Sequence, residues 1–346
     1  MIALQVVLLF VGLGLLVYGA DWFVDGGAGI AKKCRISPLI IGLTIVAFGT
    51  SAPELAVSVT SAIKHSTDIS IGNVVGSNIA NILLILGVSA LVHTLPVQKI
   101  SLKLDFPVLL IASVLLIALG WGGRALAWYD GLILLVVFSG YMAILFYDAI
   151  RKQRGMLRGE ELSESKQTEA ENVAEGASEA EREEKKNPFA RWKERMSEKT
   201  WFLILLLLIG LAMVVGGGTL LVNAAKSIAQ AAGLSERIIG LTIVAVGTSL
   251  PELVTSVVAA AKGETDIAVG NIIGSNIFNI YIVAGVASLV YPLTFTAANL
   301  IDAIVALAAA ILLYLLSLVR GNKLGKVSGC ILLAGFVGYY VWLFLA

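Results

Sequence analysis

Two glutamates stand in otherwise apolar surroundings, each directly after a proline: Glu54 in GTSAPEL and Glu252 in GTSLPEL. A carboxylate in such a stretch is expensive to bury and marks a functional site by default. Hydroxyls and amides accompany both. Thr50, Ser51, Ser77 and Asn81 belong to the first set, Thr248, Ser249, Ser275 and Asn279 to the second. Ser77 and Asn81 are spaced to share one helix face, as are Ser275 and Asn279. Pro53 and Pro251 lack an N–H, and each ring collides with the carbonyl four residues back, so a helix breaks at each. The break partly releases the carbonyls of Ala47, Phe48, Gly49 and Thr50, with Thr50 or Ser51 placed to cap the new half, and Ala245 to Ser249 repeat the pattern. Bringing the two sets together yields carboxylates, hydroxyls, amide oxygens and carbonyls, all hard oxygen donors. They suit Ca2+ and Na+ rather than zinc, copper or iron, and Ca2+, which accepts about six to eight oxygens in a forgiving geometry, better than Mg2+. His65 and His93 are the only histidines, and Cys34 and Cys330 lie far apart. The cysteine spacing excludes a thiolate site and a disulfide framework, and two histidines argue against a histidine-built zinc, haem or proton-relay site. No cofactor is expected beyond the ions themselves.

These residues lie in a stretch that the chain contains twice. Residues 42–87 and 240–285 align without a gap at a constant offset of 198, and 28 of the 46 positions are identical. Both copies close on related segments, GNVVGSNIAN and GNIIGSNIFN, in which Gly72 with Gly76 and Gly270 with Gly274 form small faces for close backbone approach. Asp68 and Asp266 are duplicated too, but each follows a threonine at the opening of a span and reads as a water-facing helix cap. Asp21 and Asp25 correspond to Thr219 and Asn223 in the other half. Unduplicated acids fit packing or gating rather than the primary site.

The elements that must position these groups are membrane helices. The chain is 58% hydrophobic and 14% charged, with a mean hydropathy of +0.90, a composition of polytopic membrane proteins. Runs of about 20 apolar residues, enough to cross a hydrocarbon core of roughly 30 Å, fall at 2–29, 38–63, 69–92, 104–121, 129–150, 200–229, 238–261, 267–290, 300–319 and 327–345. The first has no basic region before it and no cleavage site after it, so it reads as a retained helix. Ten spans put both termini on one side. Lys32, Lys33, Arg35, Lys99, Lys103, Lys262, Arg320, Lys323 and Lys326 share a side with the 151–199 connection, against Lys64, Arg124, Lys226 and Arg237 opposite. The positive-inside rule places that connection in the cytoplasm and both termini outside the cell membrane.

Residues 160–184 hold ten glutamates against two basic residues and read as a solvated linker without a core. Three parts follow: a five-helix repeat over 1–150, the charged cytoplasmic linker over 151–199 and a second five-helix repeat over 200–346. Five is odd, so halves of like sequence lie inverted, as in the secondary transporters that hold substrate at the midplane. The predicted fold is an all-α membrane protein of ten transmembrane helices, two inverted five-helix repeats with helices broken at the midplane. Two uncompensated glutamates there would cost several kcal/mol each, so the empty site resists the closed state through which alternating access passes. One Ca2+, or enough Na+, removes the penalty. Coupled exchange follows, with Ca2+/H+ exchange as the alternative and a cation channel, which needs no counter-ion, as a further one. An enzyme is not expected: neither a GxGD pair nor a serine with a histidine partner at membrane depth, as an intramembrane protease requires, is present.

GTSAPEL with GNVVGSNIAN, and GTSLPEL with GNIIGSNIFN, resemble the two alpha-repeats of the sodium/calcium exchanger family in the cation/calcium antiporter superfamily. The short central loop resembles that of archaeal and bacterial members. The resemblance implies ion sites at Thr50, Ser51, Glu54, Ser77 and Asn81 and at Thr248, Ser249, Glu252, Ser275 and Asn279, joined by the carbonyls of Ala47 and Ala245. It implies electrogenic exchange of three Na+ for one Ca2+, with both glutamates shared between the calcium site and flanking sodium sites. It also implies that the first and sixth spans slide across a static body of eight helices. The expected partners are Ca2+, Na+ and the lipid bilayer, with no nucleic acid, and a monomer suffices. Potassium-dependent relatives, and some prokaryotic ones, carry Asp where this chain has Asn279, so independence of K+ is expected. Proton-coupled exchangers usually show a different acidic motif in place of GTSxPE.

Overall fold

The computed structural model describes residues 2–164, 196, 199–232, 245–319 and 321–345. Most of the acidic stretch 160–184 and the start of the span expected at 238–261 lie outside the described residues. The first half comprises α1 (Ile2–Cys34), α2 (Pro38–Thr50), α3 (Ala52–Ile63), α4 (Thr67–Val92), α5 (Lys99–Gly123) and α6 (Trp128–Glu164). The second comprises α7 (Thr200–Ala231), α8 (Ala245–Thr248), α9 (Leu250–Ala261), α10 (Thr265–Val290), α11 (Ala297–Leu318) and α12 (Lys326–Leu345). Among the described residues eight helices are long and apolar enough to cross a membrane, and nine when α2 and α3 count as one broken span.

Two features fall outside an all-α expectation. Leu95–Pro96 (β1) pairs antiparallel with Lys323–Leu324 (β4), and Ala125–Leu126 (β2) with Leu293–Thr294 (β3). Each ribbon joins a loop of one half to a loop of the other and satisfies backbone groups that the helices leave bare. Only two residues per strand are involved, too few to leave a period in the sequence.

The core sits around α4 and α10. Their most apolar windows are 78% and 83% buried, against 17–39% for the other long helices. α1 and α7 lie at the rim and expose Leu4, Phe10, Tyr18, Trp201 and Leu208, as lipid-facing helices do. They run antiparallel along small residues. A Cβ added to Gly12 would lie 2.8 Å from the Gly217 carbonyl, one on Gly19 3.0 Å from the Gly210 carbonyl, and one on Gly26 2.7 Å from Leu207 N. α10 approaches α2 as closely, with 2.7 Å from Gly270 to the Leu39 carbonyl and 2.6 Å from Gly274 to the Leu43 carbonyl. The expected small-residue face therefore holds for the second copy. Gly72 and Gly76 of the first copy meet no described atom within 4 Å, and residues 237–244, at the repeat offset from the part of α2 that Gly270 and Gly274 meet, lie outside the described residues.

Candidate cation site

The chain bends by 45° between α2 and α3, at Ser51. Pro53, in the first turn of α3, offers no N–H to the Gly49 carbonyl, which is the expected cause. The released set is smaller than expected, because Ala47 O accepts from Ser51 N at 3.0 Å. Nor does Ser51 cap α3 through its side chain. Its Oγ donates instead to Glu252 Oε1 at 2.9 Å, since a carboxylate is the stronger acceptor within reach. Thr50 Oγ1 also turns across the repeats, donating to Asn271 Oδ1 at 3.1 Å.

The second copy mirrors this arrangement. Ser249 separates α8 from α9, and its Oγ donates to Glu54 Oε1 at 3.4 Å. Each glutamate thus begins a short helix in one repeat and is held by a serine from the other. Both are fully buried, and both sit in a helix first turn, where the helix dipole favours a negative charge. The two carboxylates are near enough to repel each other, Ser77 lies beside Glu54, and Thr50 and Ser275 lie beside Glu252.

What remains unsatisfied defines the chemistry. Glu54 Oε2, Glu252 Oε2, Ser275 Oγ, Asn279 Oδ1 and both amide atoms of Asn81 are buried without a hydrogen-bond partner. Buried polar atoms are normally paired, and leaving one bare costs about 1–3 kcal/mol. Carboxylate, hydroxyl and amide oxygens of this kind are the donors that a hard cation takes. Asn81 and Asn279 lie in π-helical turns, Ala80–Ile85 and Asn279–Ala284, whose extra residue takes carbonyls out of the regular ladder. Thr248 is half-buried, and Ala245 opens α8.

Several polar residues of this centre were not singled out from the sequence. Asn73 Nδ2 donates to Glu54 O at 3.1 Å and to Ser58 Oγ at 2.9 Å, tying α4 to α3. Asn271 Nδ2 does the same toward Ser256 Oγ at 2.9 Å. Asn78 Nδ2 reaches Asn276 O at 3.3 Å, joining the two repeats at their centre. All four asparagines are duplicated at the repeat offset within the GN and GSN segments, which is the signal that could have found them.

Asp68 and Asp266 do not cap their helices. Ser66 and Glu264 occupy the cap positions, Asp68 is exposed in the first turn, and Asp266 accepts from Gln98 Nε2 at 2.7 Å. The first turn already favours a carboxylate, and for Asp266 a loop donor lies closer than its own backbone. Asp21 and Asp25 fit the packing role, since Lys262 Nζ bridges Asp21 Oδ1 at 2.6 Å and Asp25 Oδ1 at 2.5 Å. Cys34 and Cys330 are exposed and not joined, and no cluster of three or more His, Cys, Asp or Glu occurs among the described residues.

Comparison with known proteins agrees with this geometry. The profile of the family described as sodium/calcium exchanger protein matches residues 4–147 and 202–345. The chain is 39% identical to the putative antiporter CaxA of Alkalimonas amylolytica, covering 98% of each chain. It is 34% identical to the sodium/calcium exchanger MaX1 of Methanosarcina acetivorans, covering 99% of each. Among solved structures, that of the sodium-calcium exchanger NCX_Mj soaked with Na+ and Sr2+ superimposes with a TM-score of 0.79 at 33% identity, covering 99% of both chains. The chain is a membrane antiporter that belongs to the sodium/calcium exchanger family.

Proposed function

We propose that this protein exchanges Na+ for Ca2+ across the cell membrane by alternating access, electrogenically with three Na+ per Ca2+, and without K+. The observation that carries the proposal is the pair Glu54 and Glu252, fully buried, each with one oxygen held by the opposite repeat's serine and one left bare. Two negative charges match one Ca2+. Three Na+ leave one positive charge in excess, which makes the cycle electrogenic. The ligands in this proposal are Glu54, Glu252, Thr50, Ser51, Ser77 and Asn81 with their counterparts Thr248, Ser249, Ser275 and Asn279, and the carbonyls of Ala47 and Ala245. Asn279 contributes an oxygen but no charge at the position where potassium-dependent relatives carry Asp, which supports exchange without K+.

The same proposal includes ten spans in two inverted repeats, with the linker 151–199 cytoplasmic and both termini outside. Support comes from the antiparallel course of α1 and α7, the first helix of each half. Each ribbon joins two loops that must share a side, the α4–α5 loop with the α11–α12 loop and the α5–α6 loop with the α10–α11 loop. α7 runs past Gly217, beside Gly12, whereas Lys262 meets Asp21 and Asp25, toward the opposite end of α1. This separation supports one further span between α7 and Lys262.

The test is uptake of radiolabelled Ca2+ into proteoliposomes against an outward Na+ gradient. Uptake is expected with Na+ inside and unaffected by replacing K+ with choline. Uptake driven equally by a pH gradient without Na+ would instead favour Ca2+/H+ exchange, and currents without a counter-ion would favour a channel.

A further inference from the structure

The repeat symmetry is broken at one pair of side chains in the centre. Asn78 and Asn276 occupy the same position of the two GSN segments. Asn276 Nδ2 donates within its own helix, to Ile272 O at 2.7 Å. Asn78 Nδ2 donates out of its helix, to Asn276 O at 3.3 Å, and Asn78 Oδ1 accepts from Asn279 Nδ2 at 3.2 Å. A backbone carbonyl can only accept. The Asn78 amide therefore has to turn its nitrogen to Asn276 O, which leaves its oxygen toward position 279. That oxygen takes the Asn279 nitrogen and leaves Asn279 Oδ1 as the atom without a partner. Reversing Asn279 would set two amide oxygens against each other, and reversing both residues would set an amide oxygen against the carbonyl. Asn81, the counterpart of Asn279, has no such chain: both its amide atoms lack a partner.

We propose that Asn78 is a positioning residue that holds the Asn279 N–H group and so locks the Asn279 oxygen toward the cation, so that position 279 always presents an acceptor to the site and never its N–H, whereas Asn81 is free to turn. The inference deepens the exchange reading and rests on it. It also bears on selectivity: a carboxylate at 279 would face Asn78 Oδ1, so a charged ligand there requires Asn78 to change as well.

A double-substitution cycle tests this, with apparent affinities for Na+ and Ca2+ and maximal flux measured in proteoliposomes. Asn78→Ala frees the Asn279 amide to turn its N–H groups inward. Its expected effect is a loss of apparent cation affinity of about fivefold, the equivalent of one ordinary hydrogen bond, with a smaller change in maximal flux. In an Asn279→Asp background no amide remains to be oriented, and removing Asn78 relieves a repulsion, so the loss should vanish or reverse. An equal loss in both backgrounds would overturn the proposal, because it would show Asn78 acting only through Asn276. Should Asn279→Asp fail to transport or fold, Asn279→Leu serves as the second background, where Asn78→Ala should again add no loss of Ca2+ binding to purified protein. In the unaltered protein, selective 15N-asparagine labelling reads the same contact: the Asn279 side-chain N–H should stay hydrogen-bonded on addition of Ca2+, and its release would overturn the assignment. Absence of Na+-driven uptake by the unaltered protein would sink the exchange reading itself, whereas an uncoupled cycle in an active exchanger sinks only this inference.

Discussion

A carboxylate sealed inside a helical bundle persists where something neutralises it, and here the neighbours of Glu54 and Glu252 are hydroxyls, amides and each other. No positively charged side chain takes part in the hydrogen bonds described for either group. Glu54→Gln and Glu252→Gln each keep the volume and remove one of the charges that balance Ca2+. Each is expected to lower Ca2+ exchange on the order of 100-fold or more, with the fold retained by circular dichroism and gel filtration. Near-normal exchange in either variant would make its carboxylate structural. These two glutamates and their hydroxyls were legible because the sequence states them twice in an apolar setting. The asparagines at 73, 78, 271 and 276 were duplicated as visibly, but their work depends on which neighbouring helix they face. A sequence does not display that.

At the scale of elements, close helix approach is set by residues without side chains. A Cβ on Gly274 would lie 2.6 Å from the Leu43 carbonyl and 2.8 Å from Ala47 Cβ, so Gly274→Val forces α10 away from α2 beside the site. A destabilisation of about 1–3 kcal/mol is expected, read as a lower thermal midpoint in detergent. A shift within error would show the crossing to be pliable. The Lys262 bridge ties α1 to the end of α9. Burial pulls the Lys262 pKa down, but hydrogen bonds and attraction from Asp21 and Asp25 outweigh it and leave the group raised. Its contribution is therefore fully present below the ordinary lysine value and is lost only as pH rises through the raised one, in strongly alkaline solution. Lys262→Met should release this end of α1 and change the ratio of the apparent Ca2+ affinities on the two faces of the membrane. An unchanged ratio would show that the bridge does not bias the transition. The helices themselves were legible from runs of apolar residues, and the break at Ser51 from Pro53. The π turns and the two ribbons were not, since one extra residue in a turn, or two residues pairing between distant loops, leaves the hydropathy pattern unchanged.

For the whole molecule, two halves tied by ribbons around α4 and α10 enclose one centre to which both contribute a buried glutamate and its polar neighbours. The acidic linker was read from its composition as solvated and outside this body, and its removal over 165–184 is expected to leave exchange running. A deletion that folds but loses transport would reveal regulation by that segment. The claim on which the account turns is that one duplicated carboxylate pair serves both ions in alternation. The most direct measurement is the binding of Ca2+ to purified protein, titrated in the presence of increasing Na+, K+ or choline. The account predicts that Na+ weakens Ca2+ binding progressively and competitively, that K+ and choline do not, and that Glu252→Gln abolishes the Ca2+ signal. Ca2+ binding that is indifferent to Na+, or that survives Glu252→Gln unchanged, would contradict it.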